Sequence, residues 1–166
     1  RPMANFNVVA EETVQVLVED TIDLFTPAQK IDQIVARVEN LRCHIIPDKV
    51  IFQAVLHKQI FFVNEENVVV HQGADIPFSG FVDLPGVLPG QCCQLLPEIV
   101  FIEAELIDGE TLREVVVIDM TVRVLDLTNL ENIICHTAPN QVRVFTGRGQ
   151  NFSTREQNPR TLVFTR

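Results

Sequence analysis

Tryptophan and tyrosine are both absent from this chain of 166 residues, serine occurs only as Ser79 and Ser153, and lysine only at positions 30, 49 and 58. Each shortage removes a class of function. Sugar-binding modules stack their ligands on exposed aromatic rings, and a chain with no Trp or Tyr is poor material for one. Two isolated serines carry no nucleophile-elbow pattern, and there is no Gly-rich phosphate loop and no Asp-rich calcium loop. No apolar run approaches the roughly 20 residues that a membrane-spanning helix needs, so no membrane span is expected. No charged-then-apolar leader opens the sequence, and because it starts on Arg1 with Met3 behind it, export stays open. Acidic residues outnumber basic ones to give a net charge of −9. That mean field repels a phosphate backbone, so nucleic acid is not an expected partner.

The four cysteines, Cys43, Cys92, Cys93 and Cys135, fit no disulfide framework, and a chain of this size does not need staples to fold. Cys43-His44 and Cys135-His136 have the residue types of half zinc sites. Neighbours on a strand point to opposite faces, however, and two thiolates leave a tetrahedron half filled, so no metal and no cofactor is expected. The vicinal pair Cys92-Cys93 strains its own peptide if it bridges itself. It reads either as two unreactive thiols or as the site of a disulfide between subunits. No local Cys–His signature points to thiol catalysis. Glu103 and Glu105 have the spacing of paired carboxylates, but a solvated sheet face gives the same spacing. The sequence reads as a non-enzyme.

Hydrophobic residues make up 46% of the chain and charged residues 21%, the composition of one folded domain. Valine and isoleucine dominate and phenylalanine occurs 11 times, a palette for pleated, half-buried surfaces. Period-two alternation follows. Val14, Val16 and Val18 share one face against Thr13, Gln15, Leu17 and Glu19. Val100, Ile102, Ala104 and Leu106 oppose Glu103 and Glu105, and Asp108-Gly109 then turns the chain into a run that places Leu112, Val116, Ile118, Met120, Val122 and Val124 together. Glu114 is the misfit in that run. The apolar stretch from Lys49 to Val63 ends at Asn64-Glu65-Glu66-Asn67 and resumes at Val68, which predicts a second long hairpin. Pro47-Asp48, Pro85-Gly86 and Pro89-Gly90 mark further turns.

Thr26-Pro27 has the form of a helix start, and Ile31, Ile34, Val35, Val38 and Leu41 fall at helical spacing. The β-branched content and the direct run into Ile46 favour a strand. The residues alone leave a short helix near 28–41 and a strand both open.

From Thr146 to Pro159 the composition turns to Gly, Asn, Ser and charge, which reads as a linker or exposed loop. It contains Asn151-Phe152-Ser153, a glycosylation pattern that matters only in a glycosylating host. A short strand-like run follows, ending the chain. The division predicted is a β domain over 1–145, a polar loop over 146–159 and a terminal strand over 160–166. An unpaired strand on such a tether can complete the sheet of a neighbouring subunit through main-chain hydrogen bonds. Leu162, Val163 and Phe164 would then set specificity, and Phe6 and Val8 at the other end are weaker candidates for the same role. The alternative is that both ends dock in their own domain.

Thr26 to Asp32, then Ile46-Pro47-Asp48-Lys49-Val50-Ile51-Phe52-Gln53 through Val63, and then His71-Gln72-Gly73-Ala74-Asp75-Ile76-Pro77 through Gly86, together resemble the SPOCS-domain family of spore-forming bacteria. The resemblance covers roughly residues 14 to 126. It implies a β-rich fold with no known catalytic apparatus, and a role in spore morphogenesis or envelope assembly through protein–protein contacts. It also favours strand for residues 30 to 46. Some members carry a peptidoglycan-binding LysM domain after their SPOCS units, a pattern from which this sequence departs.

The expectation is therefore an all-β, sandwich-like pair of antiparallel sheets with long hairpins and extended ends. Its function would be that of a structural subunit of a spore-envelope layer or an extracellular filament or tube, forming a helical homopolymer by strand addition. The rival is a monomeric or dimeric adaptor that recruits another spore-coat protein.

Overall fold

A computed structural model describes residues 6–127, 140–145, 150–155 and 163–165, all in strands or in the turns that join them. The strands are β1 (Phe6–Asp23), β2 (Ala28–Ile46), β3 (Lys49–Asn64), β4 (Val69–Asp83), β5 (Cys92–Ile107), β6 (Thr111–Leu127), β7 (Asn140–Phe145), β8 (Asn151–Arg155) and β9 (Val163–Thr165). One sheet runs β1-β6-β5-β8, the other β4-β3-β2-β7-β9. Every pairing is antiparallel. Each sheet is apolar on one face, and the two faces meet.

The alternation sorts the side chains as expected. Val18, Leu112, Val116, Ile118, Met120, Val122 and Val124 are buried, and Val50, Phe52, Ala54, Leu56, Ile60 and Phe62 oppose them from β3. On β5 a bulge between Ile99 and Phe101 resets the faces, so Ile99, Ile102, Ala104 and Leu106 point inward while Val100 sits at the irregularity.

Residues 28–41 are strand, the reading that the resemblance favoured, and the short helix left open there does not form. The helical spacing has a physical origin. Register shifts fall between Ile31 and Gln33 and between Glu39 and Arg42. Each bulge stretches one inward step from two residues to three, so Ile31 and Ile34 both point inward, and Val38 is followed by the partly buried Leu41. A bulged strand thus counterfeits a helical period.

The turns hold the sheets together. At Asp108-Gly109 both residues have positive φ, 53° and 69°, and the Glu110 amide donates to the Ile107 carbonyl at 3.1 Å. This is the mirror-image turn that suits the twist of a hairpin. The same turn captures the β1–β2 crossover: the Ala28 amide donates to the Gly109 carbonyl at 2.7 Å and the Leu24 amide to the Glu110 carbonyl at 2.8 Å. At the other end Asp48 takes φ 64° and its carboxylate accepts from the Gly86 amide at 2.8 Å. That bond fixes the β4–β5 crossover, which buries Leu84 and Val87. Asn64 closes the β3–β4 hairpin by accepting from the Glu66 and Val68 amides through its side chain.

Asn151–Arg155, which composition alone places in an exposed loop, forms β8 against Phe101–Glu105 of β5. Asn151 and Ser153 are exposed there. An edge strand needs no apolar outer row, so its sequence does not announce it.

Gly80 sits on the inward side of β4 opposite Phe52, and a Cβ there would lie 2.5 Å from the Phe52 ring. Because Phe52 is fully buried, the ring has little freedom to yield. Gly80→Ala is expected to lower unfolding free energy by about 1–3 kcal/mol through overpacking. Urea denaturation should show a lower midpoint at unchanged slope.

Candidate interaction surface and buried charge cluster

Two features of the described residues go beyond packing: the open margins of the sheets, and a set of charges closed between them. Among the described residues β1 pairs only with β6, and β4 only with β3. These edge strands span 18 and 15 residues. They lie at the same side of the sandwich, joined at one end where Gln72 accepts from the Phe25 amide and donates to the Asp23 carbonyl, both at 3.0 Å. Val8 and Leu17 on β1, and Val69 and Phe81 on β4, are all more than half exposed. At the opposite side of the second sheet, β9 pairs with β7 of its own chain at three positions, Thr165 with Asn140, Phe164 with Gln141 and Val163 with Val142.

The predicted interface residues divide accordingly. Phe6 and Val8 lie on edge strand β1, opposite Leu127 and Leu125 of β6. Val163 and Phe164 belong to β9. Leu162 lies outside the described residues. Cys93 is joined by a disulfide to Cys43, on the facing sheet, with 6.4 Å between the Cα atoms. Cys92 is buried beside it, and no cysteine among the described residues is free. His44 is exposed, on the face opposite to Cys43, as the strand geometry requires. Cys135 and His136 lie outside the described residues. Glu105 is engaged by the Arg113 guanidinium on the outer face.

The outer face of the second sheet carries an ion-pair network across three strands. His57 Nδ1 lies 2.5 Å from an Asp75 carboxylate oxygen and 4.0 Å from one of Glu39, and Arg37 Nε donates to Glu39 at 2.8 Å. Gln59 Nε2 lies 2.8 Å from His57 Nε2. Glu39, His57 and Asp75 each offer a donor atom within 4.8 Å, the residue types that could hold a divalent cation. Arg37 already supplies positive charge to Glu39, so the same geometry follows from ion pairing alone.

The buried cluster is more demanding physically. Lys58 on β3 is fully buried, and its ammonium donates to Asp20 on β1 at 2.7 Å and to Glu114 on β6 at 2.9 Å. Glu114 is fully buried and its second carboxylate oxygen has no hydrogen-bond partner. The strands make room with small residues: Ala36 and Ala74 flank Lys58, and Ala104 lies opposite Glu114. Glu114 was legible as the misfit in its strand. Lys58 was hidden inside an apolar run, and only its inward phase marks it.

Burial raises Glu114 above the ordinary 4.5, with the Asp20 charge adding to the rise and Lys58 opposing it. A carboxyl raised on folding keeps a proton that the unfolded chain gives up. Its stabilising contribution is therefore present at acid pH and is lost as pH rises through the folded value. Glu114→Gln should flatten the stability curve from pH 4.5 upward, read as urea midpoints over a pH series. Replacing Cys43 and Cys93 together by serine should cost about 2–4 kcal/mol.

Against known proteins, residues 27–107, running from the first crossover through β5, match the family model described as SipL, SPOCS domain. No curated protein and no solved structure matches the chain.

Proposed function

Because residues 27–107 match the SPOCS-domain family model, we propose that the chain is spore-associated, a structural, non-enzymatic subunit that polymerises by strand exchange. Residues 160–166 of one copy would take the place of β9 on β7 of the next, building an extracellular filament or tube or a spore-envelope layer. The observation that carries the reading is the place of the terminal pairing: among the described residues β9 meets β7 at three positions, at the margin of its sheet. Main-chain hydrogen bonds are the same whether the strand comes from the same chain or from another, so exchange costs little beyond the tether's reach. Leu162 and Phe164 would supply side-chain specificity, and Val8 on β1 offers an exposed apolar contact at the other end of the chain.

A second reading has its own support. In one copy β9 is already paired with its own β7, which favours a discrete adaptor recruiting another spore-envelope protein. Size-exclusion chromatography with light scattering separates the two, because an adaptor stays small at high concentration. Deleting residues 159–166 is expected to abolish polymers and leave a folded particle of one chain by the same measurement and by circular dichroism. Polymers that persist in the deleted chain defeat strand exchange.

A further inference from the structure

The Lys58–Asp20–Glu114 cluster is poorly explained as an ion pair. One ammonium faces two carboxylates, so with all three ionised the core carries an excess negative charge. Glu114 also buries an oxygen with no partner. A buried pair of this kind is weak evidence for stability, since well-packed apolar residues often do better. The arrangement does fit a reaction. A primary amine is held 2.7 Å from a carboxylate oxygen, on strands of opposite sheets, with a third carboxyl 2.9 Å from the same nitrogen.

We propose that Lys58 and Asp20 condense to an amide that joins the two sheets covalently, with Glu114 as the acid–base group. Proton transfer across the Lys58–Asp20 hydrogen bond gives a free amine and a carboxylic acid, which removes two charges from a dry site. Lys58 Nζ then attacks Asp20 Cγ. The carbon–nitrogen bond forms, the carbon–hydroxyl bond breaks, and the hydroxyl takes a proton from the Glu114 carboxyl to leave as water. Glu114 recovers its proton from the nitrogen, which it touches through the 2.9 Å contact. The sum is one ammonium and one carboxylate going to one amide and one water. Charge and atoms balance, and no oxidant, activated donor or cofactor is needed. Holding the groups in place supplies the advantage that bulk solution lacks.

The geometry distinguishes the two carboxyls. Asp20 is nearer to Nζ and its side chain is 16% exposed. It lines a surface groove with Glu19, Thr21, Glu105, Arg113 and Val115, through which water can leave. Glu114 has no outlet, and burial, the largest cause, holds its carboxyl toward the protonated form that an acid needs. The bond forms once per molecule, so the chain is the substrate of its own reaction. This inference does not depend on polymerisation and would survive its failure.

The test is the intact mass of the purified, fully reduced full-length chain. The expected result is a mass one water below that of the sequence. Proteolysis should then yield one non-reducible branched product, in which the peptide carrying Asp20 is linked to the peptide carrying Lys58. A mass equal to that of the sequence overturns the proposal, and so does a link from Lys58 to Glu114. Glu114→Ala should keep the full mass of the sequence with its all-β circular dichroism intact; complete condensation in that variant removes Glu114 from the mechanism. Lys58→Arg keeps the positive charge but cannot lose water this way, and a water still missing from it would place the linkage elsewhere.

Discussion

Two sheets that are each apolar on one face can hide those faces only against one another, and this constraint organises the rest of the molecule. It fixes the phase of every described long strand, since a slip of one residue would turn an entire row to solvent. It explains why bulges appear where they do, because each resets the phase of a strand too long to keep it unaided. It also explains the crossovers. Each one must leave one sheet and enter the other in register, and both are anchored by backbone or side-chain bonds from the hairpin tip they pass, Gly109 and Glu110 at one end and Asp48 at the other.

The same constraint makes the interior charges informative. Lys58 and Glu114, fully buried between apolar sheets, cannot be solvated, so each must find its partner in the protein. The surrounding alanines, at 36, 74 and 104, remove the bulk that would otherwise fill the space. Six strands thus contribute small or charged residues to one volume. The Cys43–Cys93 bridge also spans the two sheets, closing a separation of 50 residues. A domain of this size folds without such fastening.

Much of this was legible beforehand, and the failures have identifiable causes. The alternation in β1, β5 and β6 declared both strand and inward face, and Asp108-Gly109 declared its turn. Though the row alone did not say what it meets, Glu114 showed as a misfit because it broke an otherwise regular row. Lys58 did not, because in a run as apolar as Lys49 to Val63 a single charge reads as an exposed face. Residues 28–41 left helix and strand both open because a bulge changes the apparent period, and a sequence carries no separate mark for one. The Cys43–Cys93 pairing depends on which strands face each other across the sandwich, and strand order is not contained in local pattern. β8 escaped because its polar composition matches that of a loop.

The margins of the sheets separate protection from opportunity. Long edge strands invite indiscriminate pairing, and β1 and β4 both carry features that oppose it. Pro77 on β4 presents no amide, and Asp75 and Asp83 place charge on the same strand. β1 is bulged between Val8 and Ala10 and carries Glu11, Glu12, Glu19 and Asp20. β7 is guarded differently: among the described residues, β9 pairs with its Asn140, Gln141 and Val142. A charge or a bulge can only repel, whereas a covering strand can be replaced by an identical one from another copy. Under the proposed reading, the protection on β1 and β4 and the cover on β7 belong to one scheme: association by backbone is suppressed along the long edges and confined to the one margin where the partner strand's sequence decides it.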